Sequence, residues 1–121
     1  MSEKLEFLKG VTLISIEGAS EGSDRVTMRS ECGKTYAMYH IEDCCESVEI
    51  QDIAGDIEDL LNTPILEAYE ESNSDNRPDN ADDSWTWTFY RLTTIHGTVV
   101  FRWLGESNGY YSESVEFERL S

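Results

Sequence analysis

The chain has 121 residues, 39% of them hydrophobic, and a formal net charge of −16, which fits one domain with one modest core. A pI near 4.2 and nine scattered cations exclude binding of DNA or RNA phosphates through a basic surface. The apolar runs are too short for a membrane-spanning helix and no signal-peptide pattern is present, so we expect a cytoplasmic protein without a membrane partner.

The first third of the chain predicts strands. Residues 11–17 alternate between apolar and polar side chains, and the polar, glycine-containing residues 18–24 predict a loop. Residues 25–30 and 34–41 then predict a hairpin whose turn lies at residues 31–33, where a glycine supplies a positive φ.

The middle of the chain predicts a strand, a helix and a second strand. Residues 48–53 predict a short strand or the segment that leads into the helix, and residues 65–70 predict the strand that returns to the sheet. Residues 56–62 predict a helix that ends before Pro64, because a residue before proline avoids the helical region. Its apolar side chains share one face: Ile57, Leu60 and Leu61.

The last third of the chain begins with a polar stretch, residues 72–84, that predicts a surface loop. Three strongly β-forming segments follow at residues 85–94, 98–104 and 110–119. In the first of them we expect the large aromatic side chains on one face to form the core, and if exposed they would form a binding patch: Trp85, Trp87 and Phe89.

The predicted element order is ββββ-α-ββββ. We therefore expect an α+β fold, with a largely antiparallel twisted sheet of about six to eight strands and one short helix on a face. The whole chain, residues 1–121, is expected to form a single domain that carries an acidic surface loop at residues 72–84.

The charge is concentrated in the middle of the chain. Residues 42–83 contain fifteen carboxylates and one cation, a net −14 of the total −16. This concentration favours a cationic partner. The partner-binding surface is predicted from twelve of these carboxylates: Glu42, Glu46, Glu49, Asp52, Asp56, Glu58, Asp59, Glu67, Glu70, Glu71, Asp82 and Asp83. A charge run that only keeps the protein soluble is the simpler alternative.

Two other constellations have residue types that bind ligands. His40 with Cys44 and Cys45 is a weak candidate for a metal site or a thiol nucleophile, since no C-x-x-C spacing is present and nearby carboxylates oppose thiolate formation. We therefore expect no cofactor. Side chains able to line a small-molecule pocket and to meet an anion form the second set: Trp87, Arg91, Arg102 and Tyr110.

Three motifs occur in order along the chain: MYHIEDCCESVEI at residues 38–50, SWTWTFY at 84–90 and SNGYYSESVEF at 107–117. With GDIEDLLNTPIL between the first two, they resemble an uncharacterised family of small acidic phage and prophage proteins, over residues 7–120. The resemblance implies a single α+β domain in a virus-associated cytoplasmic setting, and it implies no activity. The turn at residues 31–33 departs from the Asp-Gly turns typical of that family.

These observations favour a binding protein over an enzyme. The sharpest hypothesis is a phage-encoded inhibitor whose acidic surface imitates nucleic acid and occupies a basic, nucleic-acid-binding host protein. The alternatives are a protein that sequesters a small molecule or nucleotide derivative, and a metal or thiol site at His40, Cys44 and Cys45. Self-assembly through an exposed edge strand is also open.

Overall fold

The computed structural model describes residues 5–41, 46–74, 84–107 and 113–120. Short apolar–polar alternations with frequent glycine turns produce strands along nearly all of this chain. Two single-turn 3₁₀ helices and eight strands occur in the order η1 Leu5–Leu8, β1 Leu13–Glu17, β2 Arg25–Ser30, β3 Thr35–Tyr39, β4 Ser47–Ala54, η2 Ile57–Leu60, β5 Glu67–Asn73, β6 Ser84–Thr94, β7 Gly97–Ser107 and β8 Glu116–Arg119.

The strands form two antiparallel sheets. The first has the order β1-β2-β3-β8 and the second the order β4-β7-β6-β5. Both sheets contribute to one hydrophobic core, in which Met28 and Phe117 of the first sheet belong to the same cluster as Tyr90 and Trp103 of the second. The two sheets pack face to face, and this packing buries one apolar face of each sheet.

The predicted α+β class is wrong, because the described residues form two antiparallel sheets and no helix longer than four residues. The positions of the eight predicted strands are confirmed, although the last strand begins at Glu116 and not at residue 110. The predicted helix at residues 56–62 is a single 3₁₀ turn, Ile57–Leu60, which buries Leu60. Of the predicted loop 72–84, the first two residues extend β5, Ser84 begins β6, and residues 75–83 lie outside the described chain.

The core face of β6 also differs from the prediction. Tyr90 and Leu92 are buried in the core, whereas Phe89 is half-buried and Arg91 is exposed on the opposite face of the sheet. Trp87 is buried too, but on the outer face, where the Arg102 guanidinium lies 4.8 Å from its ring centroid. The aromatic face predicted to be the core is therefore the outer face of the second sheet.

Tyr90 also links the two sheets by a hydrogen bond. Its hydroxyl donates to the carbonyl oxygen of Val115, just before β8, at 2.9 Å. Burial, and next the nearby charge of Glu70, raise the pKa of Tyr90 above its ordinary value. Separately, none of the helices in the part of the chain that the structure describes has the length and apolarity needed to cross a membrane.

Replacing Gly55 should destabilise the fold more than replacing a second glycine with similar φ. Gly55 (φ +102°) and Gly33 (φ +88°) both have left-handed backbones, but a Cβ on Gly55 would lie 2.4 Å from the Thr98 carbonyl oxygen, while nothing lies within 4 Å of one on Gly33. Gly33→Ala should lower the free energy of unfolding by about 1 kcal/mol and Gly55→Ala by about 3 kcal/mol. Equal losses in urea denaturation would contradict this account of Gly55.

Tyr90 should make stability fall in alkali. Because its pKa is raised in the folded protein, the unfolded chain loses this proton first, so stability is complete below about pH 10 and decreases as the pH rises above it. Tyr90→Phe should lower the free energy of unfolding by about 1–2 kcal/mol at neutral pH, because the Val115 carbonyl loses its donor. Urea denaturation between about pH 8 and 11 should then show that the free energy of unfolding decreases less steeply with pH for the variant than for the unmodified protein. Parallel curves for the two proteins would refute the role of Tyr90.

Candidate functional site

Most of the carboxylates predicted to bind a partner are at the surface. Nine of the twelve are described, since Glu42, Asp82 and Asp83 fall outside the described residues. Asp59 is half-buried. Six are exposed, and no ion pair joins them to a cation in the described part of the chain: Glu49, Asp56, Glu58, Glu67, Glu70 and Glu71.

Glu46 is not part of this surface. Its side chain is fully buried, and its Oε2 lies 2.9 Å from Nε2 of His40, whose side chain is 5% exposed. The other ring nitrogen of His40, Nδ1, donates to the carbonyl oxygen of Ser114 at 2.7 Å. His40 follows β3, Ser114 precedes β8 and Glu46 precedes β4, so this buried group joins the two sheets.

Asp52 has an internal partner as well. Its two carboxylate oxygens accept hydrogen bonds from Nε and Nη2 of Arg102 at 3.1 and 2.6 Å. The same guanidinium stacks on Trp87. Both side chains of the ion pair are about two-fifths exposed, so water screens it and it adds less than about 1 kcal/mol to stability. The charge of Asp52 is nevertheless balanced before any partner arrives.

Four carboxylates gather at the end of the second sheet that carries the β6–β7 turn. Asp56 caps η2, where its Oδ1 accepts from the Glu58 amide at 3.0 Å, and Glu58 follows in the first turn. Thr94 fixes η2 against the turn by donating from Oγ1 to the Asp59 carbonyl oxygen at 2.5 Å. The fourth, Glu67, begins β5 on the neighbouring strand.

A groove lies along β5. Its volume is about 590 Å³, and it is lined by Lys9, Glu67, Ala68, Tyr69, Glu71, Arg91 and Thr93, which together we call the β5 groove. Tyr69 is 56% exposed and is paired across the strands with Arg91. Lys9 and Arg91 belong to no ion pair within the described residues. The groove therefore offers carboxylates, cations and an aromatic surface side by side.

Sequence reasoning found Arg91, Glu67 and Glu71 but assigned them to different sites, and it missed Lys9 and Tyr69. The available signal was the alternation Glu67, Tyr69, Glu71, which puts an aromatic side chain between two carboxylates on one face of a strand.

The other predicted groups are only partly brought together. Of the predicted small-molecule pocket, Trp87 and Arg102 contact each other, Arg91 lines the β5 groove, and Tyr110 lies outside the described residues. Of the weak metal candidates, His40 has both ring nitrogens engaged, and Cys44 and Cys45 are not described. Within residues 5–41, 46–74, 84–107 and 113–120, no three His, Cys, Asp or Glu side chains are grouped to hold a metal ion.

Comparison with protein-family models gives a match. The model of a family described as a domain of unknown function (DUF7448) matches residues 6–117, which is most of the chain. The expectation of an uncharacterised family is confirmed, while the phage origin stays a prediction. Curated proteins and solved structures give no match.

Glu46 and Glu49 offer a matched test of which carboxylates serve the fold. Glu46→Ala should lower the free energy of unfolding by about 3 kcal/mol, because it leaves a buried imidazole nitrogen without its partner. Glu49→Ala, three residues away and exposed, should change it by less than about 0.5 kcal/mol. Urea denaturation of both variants measures the difference, and a Glu46→Ala protein as stable as Glu49→Ala would refute the structural role of the His40–Glu46 pair.

Proposed function

We propose that this chain, which belongs to the DUF7448 family, is a non-enzymatic binding protein that presents an acidic surface to a basic partner. The observation that carries the proposal is the set of exposed carboxylates on η2 and β5 that have no ion-pair partner among the described residues, in a chain with a net charge of −16. Such a surface attracts cationic surfaces over long range and accelerates association with them.

The partner in this proposal is a nucleic-acid-binding protein. Its binding groove is lined with Lys and Arg side chains that neutralise phosphates, and a rigid surface of carboxylates competes for the same cations. The resemblance of the chain to phage and prophage proteins supports a phage-encoded inhibitor and a host partner in the cytoplasm. Occupation of the groove would block nucleic acid without any catalytic step.

The β5 groove supports a second candidate, a small-molecule binding protein. Arg91 and Lys9 provide cations for an anionic group, and Tyr69 provides a surface on which a ring stacks. Glu67 and Glu71 line the same groove, so a ligand with anionic groups alone also meets repulsion. For this reason we rank the acidic surface first.

The metal or thiol alternative requires His40 to leave its present partners. Coordination through either ring nitrogen would displace the bond to the Ser114 carbonyl or to Glu46, and Glu46 is fully buried. The displaced group would then lose a hydrogen bond in a buried environment, which is costly. We therefore do not place the function at His40.

The test of the acidic surface compares two triple variants with the same change of charge. One neutralises β5 (Glu67→Gln, Glu70→Gln, Glu71→Gln), and the other neutralises exposed glutamates of the first sheet and its loops (Glu17→Gln, Glu21→Gln, Glu31→Gln). Proteins captured from a bacterial lysate at low salt are identified, purified and titrated with each variant. We expect the β5 variant to bind about tenfold more weakly and the control variant to bind almost as tightly as the unmodified protein.

Two further results are required of a genuine partner. Its affinity for the unmodified protein should fall between about 50 and 200 mM salt, because screening weakens attraction between charged surfaces. Its binding to DNA or RNA should also be inhibited by the unmodified protein in a gel-shift assay. Equal weakening by both triple variants, or an affinity independent of salt, would refute the proposal.

A further inference from the structure

The second sheet leaves one long edge strand open. Of the four edge strands, β1 is covered, because the Asn62 and Ile65 amides donate to the carbonyl oxygens of Leu13 and Val11 at 2.7 and 2.9 Å. β4 is covered by the loop before β2, since Ile50 exchanges two backbone hydrogen bonds with Ser23 and Gly22 at 2.8 Å. The pairing of both strands also contains a register shift, and such irregularity hinders pairing with a second chain.

The two remaining edge strands differ in length. β8 has four residues, whereas β5 has seven and pairs with β6 without a register shift. On the side away from β6, residues 67–72 make no backbone hydrogen bond to another segment that the structure describes. β5 is therefore the longest stretch of edge strand without such bonds within the described chain, and it is protected by its charge and by η1, which packs beside it.

The register shows which backbone groups are available. The Thr93 carbonyl accepts a bond from the Leu66 amide, so the backbone polar groups of Thr93 face β5. Backbone polar groups point alternately to the two sides of a strand, so those of Arg91 and Phe89 also face β5. They bond with the backbone of the partners Tyr69 and Glu71. The residues of β5 whose N–H and C=O groups point outward are then the even-numbered ones: Ala68, Glu70 and Ser72.

The side chains of β5 specify what can pair there. Glu67, Glu70 and Glu71 are exposed and the strand carries no cation, so a second copy of β5 would place like charges opposite each other. A strand with lysine or arginine at alternate positions would instead meet Glu67 and Glu71 on the face that also presents Tyr69. The β5 groove lies on that face and leaves space for its side chains, provided that their cations lie beside Glu67 and Glu71 and away from Lys9 and Arg91, which line the same groove.

We propose that β5 is a docking edge that adds an extended, basic segment of the partner protein as a fifth strand of the second sheet. Backbone hydrogen bonds from the outward-facing groups hold the segment, and the glutamates select its charge. This inference rests on the proposed function and adds to it how the partner is bound.

The probe is a capped, fluorescent peptide of about eight residues with alternating lysine and threonine, long enough to span β5. Two controls accompany it: a peptide with glutamate in place of lysine, and the lysine peptide with methyl groups on backbone nitrogens along both edges. Methylation keeps the charge and removes the hydrogen bonds of strand pairing. Fluorescence anisotropy should show at least about tenfold weaker binding of the methylated peptide, equivalent to the loss of one or two hydrogen bonds, and no binding of the glutamate peptide.

Two variants at one exposed position test the protein side. Ser72→Pro removes an outward-facing N–H, a change that an edge strand tolerates. It should weaken binding of the lysine peptide about tenfold. Ser72→Ala keeps the N–H and should bind like the unmodified protein. Circular dichroism and thermal unfolding of both variants establish that the fold is retained.

The outcomes separate this inference from the proposed function. If the methylated peptide or the Ser72→Pro variant binds as tightly as its control, strand addition is overturned while binding by charge stands. If the lysine peptide does not bind at all, strand addition is overturned, and the two triple variants decide the proposed function independently. Sedimentation also tests for a dimer. If the unmodified protein dimerises and Ser72→Pro abolishes the dimer, the occupant of the edge is a second copy of the chain, and the basic partner is overturned.

Discussion

The packing of the β6–β7 hairpin against the first sheet determines the positions of the other elements. Each strand has eleven residues, and their inner faces fill the centre of the core with Tyr90 and Leu92 from one strand and Phe101 and Trp103 from the other. Full burial of side chains of this size contributes about 1.5–3 kcal/mol each. Because side chains alternate along a strand, burial of these faces places Arg91 and Arg102 on the outer face of the sheet. The strand pairing then sets the positions of the carboxylates on the flanking strands β5 and β4.

The alternation that predicted the strands did not predict which face of β6 is buried. Both faces carry aromatic side chains, so the larger set around Trp87 was assigned to the core. The deciding information was further along the strand, where Arg91 shares a face with Trp87 and Phe89, while Leu92 shares a face with Tyr90. An arginine without a partner is seldom buried, so the face that contains Arg91 has to point outward. The stacking of Arg102 then buries Trp87 without placing it in the core.

The predicted helix is absent because part of the connection between β4 and β5 pairs with β1 and the residues before it. β4 and β5 are at opposite edges, with β7 and β6 between them, so the connection has to cross about 14 Å, three strand spacings. It also covers β1, through the bond from the Asn62 amide to the Leu13 carbonyl. Residues 61–65 are extended because they pair with residues 11–13, which leaves only the residues before them for a helical turn. The apolar spacing of Ile57, Leu60 and Leu61 is real, but it serves a single turn that buries Leu60 and places Leu61 beside β1.

Some carboxylates of the chain already accept hydrogen bonds or form ion pairs within the fold, and others do not. Sequence alone does not show this difference. Glu46 is held by His40, and Glu113 accepts hydrogen bonds from Thr86 and Ser107 at 2.8 and 2.5 Å. His40 lies only six residues from Glu46, and Ser107 only six from Glu113, but nothing in the sequence shows that these side chains meet in the interior, so charge patterning assigns Glu46 to the surface. Only a structure separates acids that stabilise the fold from acids that are available to a partner.

The available acids on β5 are held by the ladder with β6 in fixed positions, so their mutual repulsion is already present in the free protein. A cationic strand that pairs with them relieves this repulsion and orders little backbone on the β5 side, which favours binding because the site is preorganised. Salt then has two opposite effects on the same carboxylates. Screening reduces the repulsion within the free protein and so stabilises it, and it reduces the attraction to the partner and so weakens the complex. Carboxylates that serve only solubility have the first effect without the second.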